Sequence, residues 1–337
     1  MKGLSVMKIL TVHFRCTIVF VASLLLSCTL MALPSEADFS HVGGVAGSAS
    51  YAHNLSPPES PPESTLTLTA DRQVVHFNGG GFNLASSEIF NASYSGSDLA
   101  QTPSVLIEDV SGNPSAIYGL MRGNTQVYFI NQNGVLFGNG SSVDLPGLVV
   151  SSLALSASDF DAGIFNFNSA RLYSSGNYSA GDLVLFADEL WKSKVDNNIE
   201  SPENNSTDHW ENLGRPANIT IQGLSTIGDK NQVNDVSFIS DQITIDGEVN
   251  VSNGSFHAVA VENVIVSYES NNLIQFDITE AIDTNNPDGV IHVTANGQII
   301  AQDVNLRSHV LDPYSLAINN QGLIRATGLD TSKPGVI

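Results

Sequence analysis

Positive charge is scarce in this sequence. Thirteen Lys and Arg stand against 34 Asp and Glu, a formal net charge of −21. So acidic a body repels nucleic acid and anionic lipid, which excludes both as ordinary partners. The acidity reads most simply as solubility. Cysteine is almost missing: Cys16 and Cys28 are the only two. Both lie near the amino terminus, so the rest of the chain cannot lock itself with disulfides in an oxidising compartment. Charged residues are only 14% of the chain, and no long helical periodicity appears, which favours turns and strands over helices. The eight histidines do not cluster, and no zinc-protease, Walker or Rossmann spacing is present. No metal, cofactor or catalytic residue is therefore expected.

The first 37 residues look like an export signal. Lys2, Lys8 and Arg15 supply a positive front, and Thr17 to Ala32 an apolar run. That run is shorter than the ~20 residues a spanning helix needs. Ser35-Glu36-Ala37 has small residues where a signal peptidase reads, so cleavage is expected after Ala37. A competing reading is Leu25-Leu26-Ser27-Cys28, which resembles a lipobox that would acylate Cys28.

What the sequence does hold is concentrated in QVYFINQNGVLFGNGSSVDLPGLVVSSLAL, Gln126 to Leu155. Three apolar runs, Val127 to Ile130, Val135 to Phe137 and Leu148 to Leu155, are cut by Asn/Gly and Pro-Gly clusters. Short β-branched and aromatic runs punctuated in this way read as strands joined by tight turns. Asn and Gly tolerate the positive φ that such turns need.

Asn131-x-Asn133-Gly134, an aliphatic pair, Phe137-Gly138, a polar stretch and Gly147-Leu-Val-Val-Ser-Ser-Leu153 together resemble the haemagglutination-activity domain. This is the amino-terminal secretion domain of filamentous-haemagglutinin-type exoproteins. Upstream, Val110 to Gly119 (VSGNPSAIYG, with Asn113 and Pro114) matches a second pattern of that family. Gln132 and Pro146 replace the family's usual Pro and Gly. The resemblance covers Leu66 to Leu155 well and the later chain loosely. It implies an all-β, right-handed parallel β-helix with an amino-terminal β cap and a few extra-helical strands and loops. It also implies a partner, an outer-membrane barrel transporter with periplasmic polypeptide-transport-associated domains, and host-cell surface glycans or proteins as further targets. The place implied is the cell surface or exterior of a Gram-negative bacterium, reached through the periplasm. Asn131, Asn133, Gly134, Phe137 and Gly138, with Asn113 and Pro114, become the candidate transporter-recognition residues.

Around this core the expected organisation is a signal peptide at 1–37 and a Pro/Ser/Gly-rich linker at 38–64. A capped secretion domain at 65–190, a polar loop at 191–216 and β-helix repeats at 217–337 follow. The linker contains the duplicated Ser-Pro-Pro-Glu of residues 56–63, and the polar loop is bounded by Trp191 and Trp210, expected to pin its base. Gly247, Gly297 and Gly322 each open a Gly-x-aliphatic-x-small/aliphatic segment. Gly297 to Gly322 spans 25 residues and Gly247 to Gly297 spans 50, so a coil of about 25 residues is expected, with two coils between the first pair. Asn296 and Asn319-Asn320 fall near corners, where Asn can take left-handed φ and pair with its counterpart one coil away.

Parallel β-helices also include polysaccharide-cleaving enzymes, which carry paired carboxylates on an outer face. The hydrolase family's Asp-Asp and Gly-His-Gly signatures are missing here. A secreted polysaccharide-cleaving enzyme remains the alternative to a secretion and adhesion module. Calcium on Asp/Asn corners has no nonapeptide repeat behind it.

Overall fold

Short strands whose alternate residues are apolar cannot fold alone, and here each buries its inward side chains on the strand of the next coil. A computed structural model describes residues 33–44, 47–54, 61–96, 102–169, 175–178, 183–186, 189–203, 208–214, 218–222, 226–227, 235–268, 274–282 and 286–328. Most of the sequence expected as a signal peptide, including Cys16 and Cys28, lies outside the described residues, as do residues 55–60 of the Pro-rich stretch.

The body is the expected parallel solenoid with three faces. One face stacks Ser115–Ile117, Val135–Phe137, Ile219–Ile221, Ile243–Ile245, Ile291–Val293 and Ile318–Asn320, all parallel. A second stacks Glu63–Leu68, Ile89–Tyr94, Leu120–Gly123, Ser142–Asp144 and Thr226–Ile227. A third stacks Gln73–Phe77, Ser104–Asp109, Gln126–Ile130, Gly147–Ser151 and Asp235–Ser240. In later coils the second and third faces merge, because Glu248–Ala260 and Gln298–Ser308 each run continuously around the corner.

The inward residues form one continuous core. Val105, Ile107, Val127, Phe129, Val135, Phe137, Leu148 and Val150 all belong to it. Phe137 stacks on Phe238 at 6.2 Å and 15°, and Phe238 meets Phe256 edge-on at 5.4 Å, so aromatic rings bridge successive coils.

A second apolar cluster lies outside the solenoid. Leu106, Tyr128, Ile130, Val149, Ile239 and Val259 point outward from the third face and are buried all the same. An antiparallel sheet of Ala154–Leu155, Phe165–Asn168, Asn263–Tyr268 and Ile274–Glu280 supplies part of that cluster, together with Phe160 from the helix Ala157–Ala162. Ser156 caps the helix start and Gly163, at φ 73°, ends it. Covering both faces explains why Val127 to Ile130 and Leu148 to Val150 read as unbroken apolar runs rather than alternations.

Four expectations meet a different structure. The stretch expected as a linker at 38–64 carries two strands. Phe39–Gly44 pairs antiparallel with Gln73–Phe77, and Ala49–Asn54 with Glu63–Leu68, placing Tyr51 in the core and closing the first coil. This closure gives the terminal rung the partners an exposed edge would lack. The polar stretch at 191–216 is not a plain loop: Glu189–Ser193 and Trp210–Gly214 join Leu183–Phe186 in a three-stranded antiparallel sheet. Trp191 and Trp210 sit in one small cluster with Tyr178 and Val184, and Trp210 Nε1 donates to Glu200 O at 2.8 Å.

The boundary expected between 190 and 217 does not divide the solenoid, since Gly147–Ser151 pairs directly with Asp235–Ser240. The described strands and helix between Ser151 and Asn218 form an excursion between two adjacent coils. Finally, Gly247 and Gly297 lie on adjacent coils, because Glu248 pairs with Gln298. Their spacing of 50 is a single coil carrying the antiparallel strands Asn263–Tyr268 and Ile274–Glu280.

Candidate functional site

The Asn-rich turn and the second motif are parts of one buried network. Strand Ser104–Asp109 places Val105 and Ile107 inward, and the same alternation turns Asp109 inward at its end. Asp109 Oδ2 accepts from Phe82 N at 2.8 Å, from Ser115 Oγ at 2.6 Å and from Asn131 Nδ2 at 3.2 Å. Its Oδ1 accepts from Ser111 N at 3.0 Å. Four donors thus converge on this one buried side chain, which satisfies the hydrogen-bonding capacity that burial would otherwise leave unmet.

Asn131 is the link between the motifs. Fully buried, it also donates through Nδ2 to Asn113 O at 2.9 Å and Ser115 Oγ at 2.8 Å. Its Oδ1 accepts from Asn133 N at 2.8 Å, and its own carbonyl accepts from Gly134 N at 2.9 Å. Gly134 then accepts from Ser115 N at 3.0 Å, closing the corner onto the preceding coil. Gly134 holds φ 101°, a conformation that suits glycine alone.

The other expected residues have different places. Asn133 enters the network through its backbone N–H and is itself buried. Phe137 fills the core, with no exposed surface. Gly138 lies against the Tyr118 ring, which an added Cβ would overlap. Asn113 and Pro114 are exposed on the outside of the corner. Asp109 and Ser115, which hold the network together, were not among the expected site residues. The signal for Asp109 was a carboxylate at a core-facing position of an alternating strand.

The repeat glycines form a column of close approach. A Cβ on Gly247 would overlap Gln222 O, one on Gly297 would overlap Ile245 O, and one on Gly322 would overlap Gly297 O. Asn296 Nδ2 reaches Asp246 Oδ1, one coil away, at 3.2 Å, so that corner is bonded across coils. Left-handed φ is not how the corner asparagines contribute. Among the described residues only Arg72 and Asn197 are non-glycine residues at positive φ. Also among the described residues, no group of three His, Cys, Asp or Glu side chains could hold a metal ion.

Neither protein-family models nor curated proteins match the sequence. Solved structures do. The HMW1 secretion domain from Haemophilus influenzae aligns with a TM-score of 0.50 and 17% identity, covering 80% of this chain and 56% of that one. The fold is shared with a bacterial secretion domain. This chain thus spans a little over half the length of that relative. The filamentous hemagglutinin secretion domain also aligns, with a TM-score of 0.45, 12% identity, and coverage of 85% of this chain and 96% of that one.

Proposed function

We propose that this chain is the amino-terminal secretion module of a bacterial filamentous-haemagglutinin-like exoprotein, exported by a dedicated outer-membrane transporter in a two-partner system. The observation that carries this reading is the capped parallel solenoid it shares with the HMW1 secretion domain. The Asn-rich turn and the Asn113-Pro114 corner add to it, because one buried network joins them. On this reading the chain is a binding and export module, not an enzyme. Its destination is the cell surface or the medium, and a host glycan or protein would be a later target.

Burial sorts the motif residues by when they act. Asn131, Asn133, Gly134 and Phe137 are buried once the coil closes, so a transporter can read them only in the unfolded chain. Asn113 and Pro114 stay available afterwards. The test is expression in a Gram-negative host with and without a cognate barrel transporter, scoring release into the medium against periplasmic accumulation. Release that depends on the transporter is expected. Equal release in its absence would defeat the proposal. Asn131→Ala separates recognition from folding. Release falling only in proportion to folded protein would remove this turn from the recognition surface.

A further inference from the structure

Leu33 to Ala37, just upstream of the first strand, are built into the cap. Leu33 is 7% exposed and belongs to the main core, and its backbone nitrogen lies 3.0 Å from Glu88 Oε1. Pro34 O accepts from Tyr51 Oη at 2.8 Å and lies 2.7 Å from His53 Nε2. Glu36 Oε1 accepts from His53 N at 2.5 Å, and Ser35 O from Asp38 N at 3.1 Å. Cleavage after Ala37 would discard all of these contacts.

Glu88 is the unusual partner. It is 8% exposed, its Oε2 accepts from Ala85 N at 2.7 Å, and none of the ion pairs among the described residues includes it. A carboxylate buried on backbone donors alone lacks the cation that would offset its desolvation. We propose that export processing hydrolyses the Ala32–Leu33 bond and that the ammonium freed on Leu33 pairs with the buried Glu88 carboxylate. Water adds across the amide, the Ala32 carbonyl leaves as a carboxylate, and the Leu33 nitrogen takes up a proton at neutral pH. The host's export peptidase supplies the hydrolysis. Leu30-Met31-Ala32, at the end of the apolar run, offers it a small residue at the cut and an aliphatic one two places before. Processing then replaces an uncharged amide donor with an ammonium and makes the contact an ion pair, so the cap gains strength only after the leader has gone.

The inference rests on export to the periplasm and not on the transporter. The full-length chain is therefore expressed in a host lacking any partner transporter, and its periplasmic form is identified by intact mass and amino-terminal sequencing. A start at Leu33 is expected, while a start at Asp38 or a lipidated Cys28 would overturn the proposal. The pairing is read from thermal melts of that chain and its Glu88→Gln variant between pH 6 and 10. Glu88 is the group that lies against the Leu33 nitrogen, and the titratable groups nearby are Tyr51 and His53, on Pro34 O, and Glu36, on His53 N. Pairing raises the amine's pKa above its ordinary ~8. Its stabilisation is thus complete below that value and lost as pH rises through the folded one. The variant should melt about 3 °C lower at pH 6–7 and converge on the parent by about pH 10. A gap unchanged with pH would leave Glu88 a backbone acceptor only and overturn the pairing. Inserting one glycine before Leu33 displaces the ammonium with Glu88 intact. It should reproduce the loss, and a parental melt for that chain would also defeat the pairing.

Discussion

Asn131 and Asn133 look equivalent in a turn, but the fold gives them unequal work. Asn131 bonds Asp109, Asn113, Ser115 and the Asn133 N–H, whereas Asn133 contributes a backbone group that survives substitution. Asn131→Ala should therefore cost about 2–3 kcal/mol in denaturant unfolding and Asn133→Ala under about 1. Equal losses would show that the turn, not the network, is what matters. Gly134→Val must hold a β-branched residue at φ 101° and should cost a further ~1–3 kcal/mol over an alanine elsewhere in the turn. A second residue-scale effect concerns pH. His257 is buried with both ring nitrogens unbonded, and burial, with the Arg307 charge adding, pushes it down to about 4. The unfolded chain takes up that proton near 6.5, so stability should fall as pH drops from about 6.5 to 4. Asp241 works the other way: burial raises it to about 6, which adds stability as pH falls from about 6 to its ordinary value. The two partly cancel in the parent. In a His257→Leu variant, melts across that window should lose the acid-side decline and show Asp241's gain instead. An unaltered pH profile would mean His257 titrates normally.

At the scale of elements, strands and turns of the central stretch were legible because their inward residues and Asn/Gly corners follow a local rule. Val135 and Phe137 point inward in a three-residue strand whose bounds match the apolar run. Excursions were harder to see, because an inserted antiparallel strand looks locally like a coil strand. Asn263–Tyr268 pairs antiparallel with Ile274–Glu280 and Phe165–Asn168, and with Glu248 paired to Gln298 the two glycines, Gly247 and Gly297, are one coil apart. The cap was misread for a related reason. Phe39–Gly44 and Ala49–Asn54 are rich in Gly, Ser and Ala, yet their backbones close the first coil, a job done mostly by hydrogen bonds with Phe39 and Tyr51 packing on the core. The glycine column follows the spacing better than any side chain does. Gly297→Ala places a Cβ against Ile245 O and the Val293 side chain. It should lower the melting temperature well beyond what alanine gives at Gly140, where the added Cβ meets nothing within 4 Å and the cost comes from the positive φ of 81° alone. A loss at Gly297 no larger than that at Gly140 would show that the coils give way to the added Cβ at little cost.

For the whole molecule, a solenoid is held by nearest neighbours, so local stability should track how many sides of a coil are covered. Gly147–Ser151 lies between Gln126–Ile130 and Asp235–Ser240, with the core on its inner face and the outer apolar cluster on its other. Leu323–Ala326 pairs with Gln298–Ser308, its only strand partner among the described residues, and Leu323 is 51% exposed. Leu316 and Ile318 on the same coil are also exposed. Each side chain left in water forgoes about 25 cal/mol per Å² of apolar burial, and each unpaired edge group can open to solvent without breaking a neighbour's bond. Native-state hydrogen exchange should rank the coils accordingly. Amides of Gly147–Ser151 should exchange only through the largest openings, while those of Leu323–Ala326 should exchange orders of magnitude faster through local fraying. Protection that is uniform from end to end would mean the solenoid opens as one cooperative unit. In that case the Asn131 network would stabilise distant coils as much as its own, and its substitutions would loosen Leu323–Ala326 as well. If protection is graded, the same substitutions should raise exchange only in the coils that share its corner, Ser115–Ile117 and Val135–Phe137.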